Sequence, residues 1–105
     1  MSGKPVLPRE LANRDVEAAV DYYAHEAGAR TALGFIDALQ SAYKAIADHP
    51  ALGSPRHARE LSLPGLRSRA LKGFPYLIFY VERENQIDVW RVLHSHRDIP
   101  SRMRD

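Results

Sequence analysis

The 105-residue chain contains no cysteine, which excludes a disulfide framework, a thiol nucleophile and any thiolate-held zinc or iron–sulfur centre. It has no run approaching the roughly 18 apolar residues that a membrane-spanning helix needs. Residues 1–4 open without the apolar stretch of a secretory leader, so a cytoplasmic protein is expected. Gly28, Gly34, Gly53, Gly65 and Gly73 show none of the spacings of a phosphate-binding loop, and no Gly-x-Ser-x-Gly elbow occurs. None of Ser54, Ser62 or Ser68 sits where a strained nucleophile turn is expected. Internal repeats, low-complexity tracts and dimerisation heptads are also missing. What remains, 45% hydrophobic and 27% charged residues, is the composition of an ordinary globular protein, and the length is that of one domain over residues 1–105.

Charge is scarce overall but unevenly placed. The net is +2, yet residues 1–52 carry five Lys/Arg against seven Asp/Glu, and residues 53–105 carry ten against six. Nine of those ten basic residues are arginine. The guanidinium fork matches carboxylate and phosphate, so an acidic partner is to be sought on the second half of the chain.

Two helical periods come first. Ala12, Val16, Ala19, Val20, Tyr23 and Ala27 recur at three- and four-residue steps and predict a helix over 11–27. Pro8 suits its entry and Gly28 its end. Ala32, Phe35, Ile36, Leu39, Tyr43, Ile46 and Ala47 predict a second helix over 29–49, stopped by Pro50. So short a link folds the two into an antiparallel hairpin. Turn residues dominate 50–66, with room for one helical turn.

From Leu66 the period becomes two. Residues 66–71, 76–81 and 86–93 predict an antiparallel meander, the middle run being apolar on both faces. Pro5-Val6-Leu7 is at most an edge strand. The expected architecture is α+β: a helical hairpin over a three- or four-stranded antiparallel sheet, with Ile36, Leu39, Tyr43, Leu77, Phe79, Ile87 and Val89 in its core. The other sheet face is then wet, or covered by a partner. Trp90, Tyr76 and Tyr80 cannot all fit beneath two helices, which predicts an exposed aromatic groove suited to a partner. Strict alternation would put Arg91 on the face of Ile87 and Val89, so either a bulge re-aims it or its head leaves the edge of the core.

The densest chemistry lies in Arg91-Val92-Leu93-His94-Ser95-His96-Arg97-Asp98. Arginine forks grip phosphate and histidine moves protons near neutral pH, the parts that RNA cleavage through the 2′-hydroxyl requires. The plainer reading is that Arg91 pairs with Asp88 or Asp98 and orders the tail. His94 and His96 alone make no metal site beside Arg91 and Arg97, and no metal or cofactor is expected.

Ala12-x-x-Asp15-Val16-x-x-Ala19, Gly28, Phe35-x-x-x-Leu39-x-x-x-Tyr43-x-x-Ile46 and His49-Pro50 carry a resemblance, continued by Phe74-Pro75-Tyr76-x-Ile78-Phe79-Tyr80 and Ile87-x-Val89-x-Arg91-Val92-Leu93-His94-x-x-Arg97-Asp98. Over nearly its whole length the chain resembles the RelE/ParE toxin superfamily, on the ParE side. The resemblance implies a type II toxin neutralised by a cognate ParD-like antitoxin in a hetero-oligomer, with no membrane association. Direct DNA binding is not expected without the antitoxin. ParE-like members poison DNA gyrase, whereas RelE-like relatives cut messenger RNA on the ribosome; a third outcome is an antitoxin-binding fold that has lost toxicity. A nuclease would use Arg67, Arg91, His94 and His96. A gyrase poison would use Arg67, Arg69, Arg91, His94, Arg97 and Arg102 to meet its target, and Tyr76, Tyr80 and Trp90 would meet the antitoxin. No tyrosine follows Tyr80, which favours the poison.

Overall fold

The computed structural model describes residues 3–96 and 99–103. A short strand β1 (Val6–Pro8) leads into two long helices, α1 (Glu10–Glu26) and α2 (Ala29–Asp48). A 3-10 turn (Pro50–Leu52) and a short helix α3 (Arg56–Glu60) connect these to β2 (Leu66–Ala70), β3 (Tyr76–Glu82) and β4 (Ile87–His94). A last short helix, α4 (Ile99–Met103), follows the sheet.

The helices form where the apolar periods put them. Only Ala27 and Gly28 separate α1 from α2, and Gly28 makes the reversal at φ 93°, a conformation that costs a side-chain-bearing residue energy. Nothing lies within 4 Å of the place its Cβ would occupy, so the backbone and not the space demands glycine. Along the faces turned inward, Ala12 and Ala19 of α1 and Ala32, Phe35, Leu39, Ala42 and Ile46 of α2 are buried. Ile36 and Tyr43, expected in the core, lie half-buried on its flank.

The sheet runs β1-β4-β3-β2. Strands β2, β3 and β4 form the expected antiparallel meander, but β1 pairs with β4 in parallel, Val6 opposite Ile87 and Pro8 opposite Val89. The sheet is therefore mixed and not wholly antiparallel. Three residues ending in proline hold too little pattern to specify a direction, and proline confines them to the edge.

Two hydrophobic clusters flank this sheet. On the helix side, Ile78, Tyr80, Ile87, Val89 and Val92 pack with Ala12, Phe35, Leu39 and Ile46. On the far side, Leu66, Phe79, Val81, Leu93 and Ile99 pack together, with Ala58, Leu61, Leu63, Leu77, Trp90 and Met103 around them. Leu77 and Phe79 thus belong to the face opposite the helices, and that face is neither wet nor left to a partner. It is covered by the chain's own α3, α4 and connecting loop. An apolar run on both faces carries no period-two polarity, so it cannot declare which face meets the helices.

Of the two arrangements expected at Arg91, a bulge is present. Phe79 pairs with Arg91 while Tyr80 pairs with Val89, which leaves Trp90 as the extra residue of β4. Tyr80 is fully enclosed and its hydroxyl donates to the Pro50 carbonyl at 2.7 Å. Gly53 packs directly on this ring, and a Cβ there would collide with the Tyr80 hydroxyl.

The β1–β4 junction is held by Asp88, 8% exposed. Its carboxylate accepts Arg9 through Nε and Nη2 at 2.9 Å each, Trp90 Nε1 at 3.0 Å and Arg83 Nη2 at 3.1 Å. The Arg9 guanidinium also lies 4.4 Å from the centre of the Trp90 ring. Burial alone would raise the Asp88 pKa, but the hydrogen bonds from Arg9, Trp90 and Arg83, with the charge of Arg9, together lower it below the ordinary 3.8. A depressed folded-state pKa means that the carboxylate stabilises the fold above the unfolded value, and that this contribution is lost as pH falls through the folded value. The melting-temperature gap between wild type and Asp88→Asn is therefore expected to be open at pH 6 and to close below about pH 4. Thermal unfolding at graded pH measures it; a constant gap would contradict the ion-pair role.

Candidate functional site

A cavity of about 670 Å³ opens where α1, the end of β4 and α4 meet. Strand β1 covers β4 only from Ile87 to Val89, so the edge of β4 beyond the bulge is left to other elements. Asp15 of α1 takes it over. Its carboxylate accepts Arg91 Nε and Nη2 at 2.8 Å each, and also the backbone N–H of Val92 at 3.0 Å. Arg91 Nη1 donates in turn to the Arg102 carbonyl. One guanidinium therefore joins α1, β4 and α4 and forms part of the cavity lining.

Aromatic rings make up much of the rest. Tyr22, Tyr23, Tyr76 and Pro75 line the cavity, as do His94 and His96. Tyr76 is wedged between Phe35 and His94, with ring centres 5.2 Å from each, and Tyr23 stands 5.2 Å from Phe74. His94 Nδ1 accepts the backbone N–H of His96 at 3.1 Å. When neutral, His94 then carries its proton on Nε2. Outside the lining, the pKa of Tyr43 is pushed up to about 12, first by burial and then by the charge of Asp15. Its hydroxyl has no hydrogen-bond partner among the described residues.

The sequence-derived residues separate into distinct groups. Arg91, His94 and Tyr76 meet at the cavity, and Arg102 and His96 join them. Arg91 is only 7% exposed and pairs with Asp15, while Asp88 is held by other partners and Asp98 lies outside the described residues. Its guanidinium is an internal tie between α1, β4 and α4. Arg67 and Arg69 lie on β2, separated from β4 by the whole of β3, roughly 10 Å by ordinary strand spacing. Arg67 donates to the Gly53 carbonyl at 2.8 Å. The four-residue nuclease set is therefore not gathered in one place. Arg97 lies outside the described residues.

The three expected antitoxin anchors also divide. Tyr80 is enclosed beneath the helices, Tyr76 lines the cavity, and Trp90 sits on the far face bound to Asp88. The expected groove does not gather all three: Tyr76 and Tyr80 share the helix face of β3, where Tyr80 is enclosed, while Trp90 turns to the opposite face at the bulge. Residue reasoning missed Asp15, Tyr22 and Tyr23 as site residues. Asp15, Ala18, Ala19 and Tyr22 follow i, i+3, i+4, i+7 spacing, which did mark one helix face.

Residues 6–99 match the family described as the ParE toxin of type II toxin–antitoxin system, parDE. The chain belongs to the ParE toxin family. Among solved structures, it is similar to a chain of the "Chromosomal ParDE TA system from P. aeruginosa", at TM-score 0.73 and 19% identity, over 87% of this chain and 95% of that one. That likeness is one of fold. No curated protein matches the chain. The ParE match takes in Asp15, Tyr76, Arg91 and His94 but stops short of Arg102. No helix among the described residues of this ParE-type toxin is long and apolar enough to cross a membrane.

Proposed function

We propose that this ParE-type toxin acts by binding and not by catalysis: it inhibits DNA gyrase in the cytoplasm and is neutralised by a cognate ParD-like antitoxin in a hetero-oligomer. The observation that supports this reading is the engagement of Arg91. A ribonuclease of this fold would need cations free to hold the scissile phosphate beside a proton carrier. Here Arg91 is neutralised by Asp15 and Arg67 is held by Gly53 on a distant strand. Of those two arginines, Arg67 stands apart from His94 and His96, and the Arg91 that lines their cavity is already ion-paired with Asp15. Among the arginines expected to meet the target, Arg69 remains half-buried on β2. Tyr76, at the cavity, is the expected anchor best placed to meet the antitoxin.

Two assays on purified toxin freed of antitoxin test the reading. Loss of supercoiling, or trapped double-strand cleavage by gyrase, with messenger RNA intact on programmed ribosomes, is the expected result. Ribosome-dependent cleavage that disappears in His94→Ala or His96→Ala would replace it with the nuclease reading. Inactivity in both assays, with antitoxin binding intact, would leave an antitoxin-binding protein without toxicity.

A further inference from the structure

We propose that the cavity between α1, β4 and α4 receives an acidic side chain from a helical segment of the antitoxin, its carboxylate seated on Arg102. The proposal rests on the reading that an antitoxin binds this chain. Arg102 is the cation that the cavity leaves over. Arg91 and Asp15 neutralise each other at the lining, whereas the Arg102 guanidinium has no hydrogen bond or ion pair among the described residues; only its backbone carbonyl is engaged, by Arg91. The tie through that carbonyl sets the position of Arg102 at the cavity mouth. His94 and His96 stand in the same lining, so among the described residues the polar side of the cavity is cationic or hydrogen-bonding and its one carboxylate, Asp15, is ion-paired.

Chemistry and shape both select the occupant. The arginine fork fits a carboxylate in bidentate fashion, and the Tyr22, Tyr23 and Tyr76 rings offer apolar wall for the stem that carries it. A volume of about 670 Å³ lies within the range of concave ligand sites, and it admits a slender inserted segment better than the broad surface of a folded target. A chain that orders on binding is such a segment. Its backbone is helical and not an added strand, because the Val92 N–H that a new strand would bond on this edge is already taken by Asp15.

The test measures binding of the full toxin to the antitoxin encoded beside it. Arg102→Glu is expected to weaken binding by about 10- to 100-fold, the range for losing a charge-assisted hydrogen bond, and to reduce its salt dependence. A Glu→Lys or Asp→Lys change at one antitoxin position should restore affinity to Arg102→Glu. Ala18→Phe, which fills the cavity from an exposed helix position, should weaken binding without altering charge. Circular dichroism and thermal unfolding verify the fold of each variant. Unchanged affinity in both folded variants would overturn the proposal, as would lost gyrase inhibition by Arg102→Glu with antitoxin affinity retained, since the cavity would then face the target. Wild-type toxin that binds no antitoxin at all would instead remove the partner reading on which the proposal stands.

Discussion

Asp15→Ala is expected to destabilise the protein by about 3–5 kcal/mol, the cost of removing one member of a buried ion pair. The side chains of Arg91 and Asp15 are only 9% and 14% exposed, so solvent cannot replace the lost partner. The alanine variant takes the Asp15 carboxylate from a guanidinium in the lining, and it strands the Val92 N–H as well. For a chain of this length the melting temperature should fall by more than about 12 °C. Removing both partners together is a different experiment. Asp15→Leu with Arg91→Met takes away the charge along with its counterion, and it should recover most of the loss. Urea unfolding of the two single variants and the double variant reads the coupling directly. A single-variant loss under about 1 kcal/mol would show that the pair does not hold α1 to β4.

Phe35→Ala should cost a similar amount, about 3–5 kcal/mol, through a cavity and not through a charge. Phe35 is fully buried and its ring centre lies 5.6 Å from Tyr23, 5.3 Å from Phe74 and 5.2 Å from Tyr76. These edge-on and tilted contacts are worth more than their area alone. Phe35→Leu keeps most of the volume and should cost much less than Phe35→Ala. The position also connects stability to function. Tyr23 and Tyr76 line the cavity at the end of β4, and both rest on Phe35. Truncation should therefore weaken antitoxin binding in protein that is still folded, whereas an equally destabilising truncation of Ile46 should not. Calorimetric binding below the unfolding transition, compared between the two variants, separates these outcomes.

The limits of the one-dimensional reading are visible at Arg91. Its neighbours in sequence offered Asp88 and Asp98 as partners; Asp98 lies outside the described residues, and among those described a carboxylate that meets Arg91 comes from Asp15, 76 positions earlier. Asp88 is instead occupied by Arg9, Arg83 and Trp90. Pairing of buried charges depends on which helix crosses which strand edge, and no local pattern carries that information. The same reason explains why Trp90 ended on the face opposite Tyr76 and Tyr80, and why Tyr80 is enclosed while Tyr76 reaches the cavity. A one-residue bulge at Trp90 displaces everything after it relative to the facing strand.

The sequence by itself determined the local elements. Alanine-rich stretches with a 3.6-residue stripe became α1 and α2, Gly28 and Pro50 marked their limits, and alternating or β-branched runs became β2, β3 and β4. It also determined the kind of family, through motifs spread along the chain that require no contact to be read. Tertiary structure alone decided the rest: the parallel direction of β1, the face to which Leu77 and Phe79 turn, the closure of the far face by α3 and α4, and the tie of Arg91 to Asp15 on a distant helix. Periodicity reports that a residue is on one side of its own element. Which neighbour occupies that side is set by long-range packing, where burial of apolar surface and satisfaction of each buried charge must be met at once.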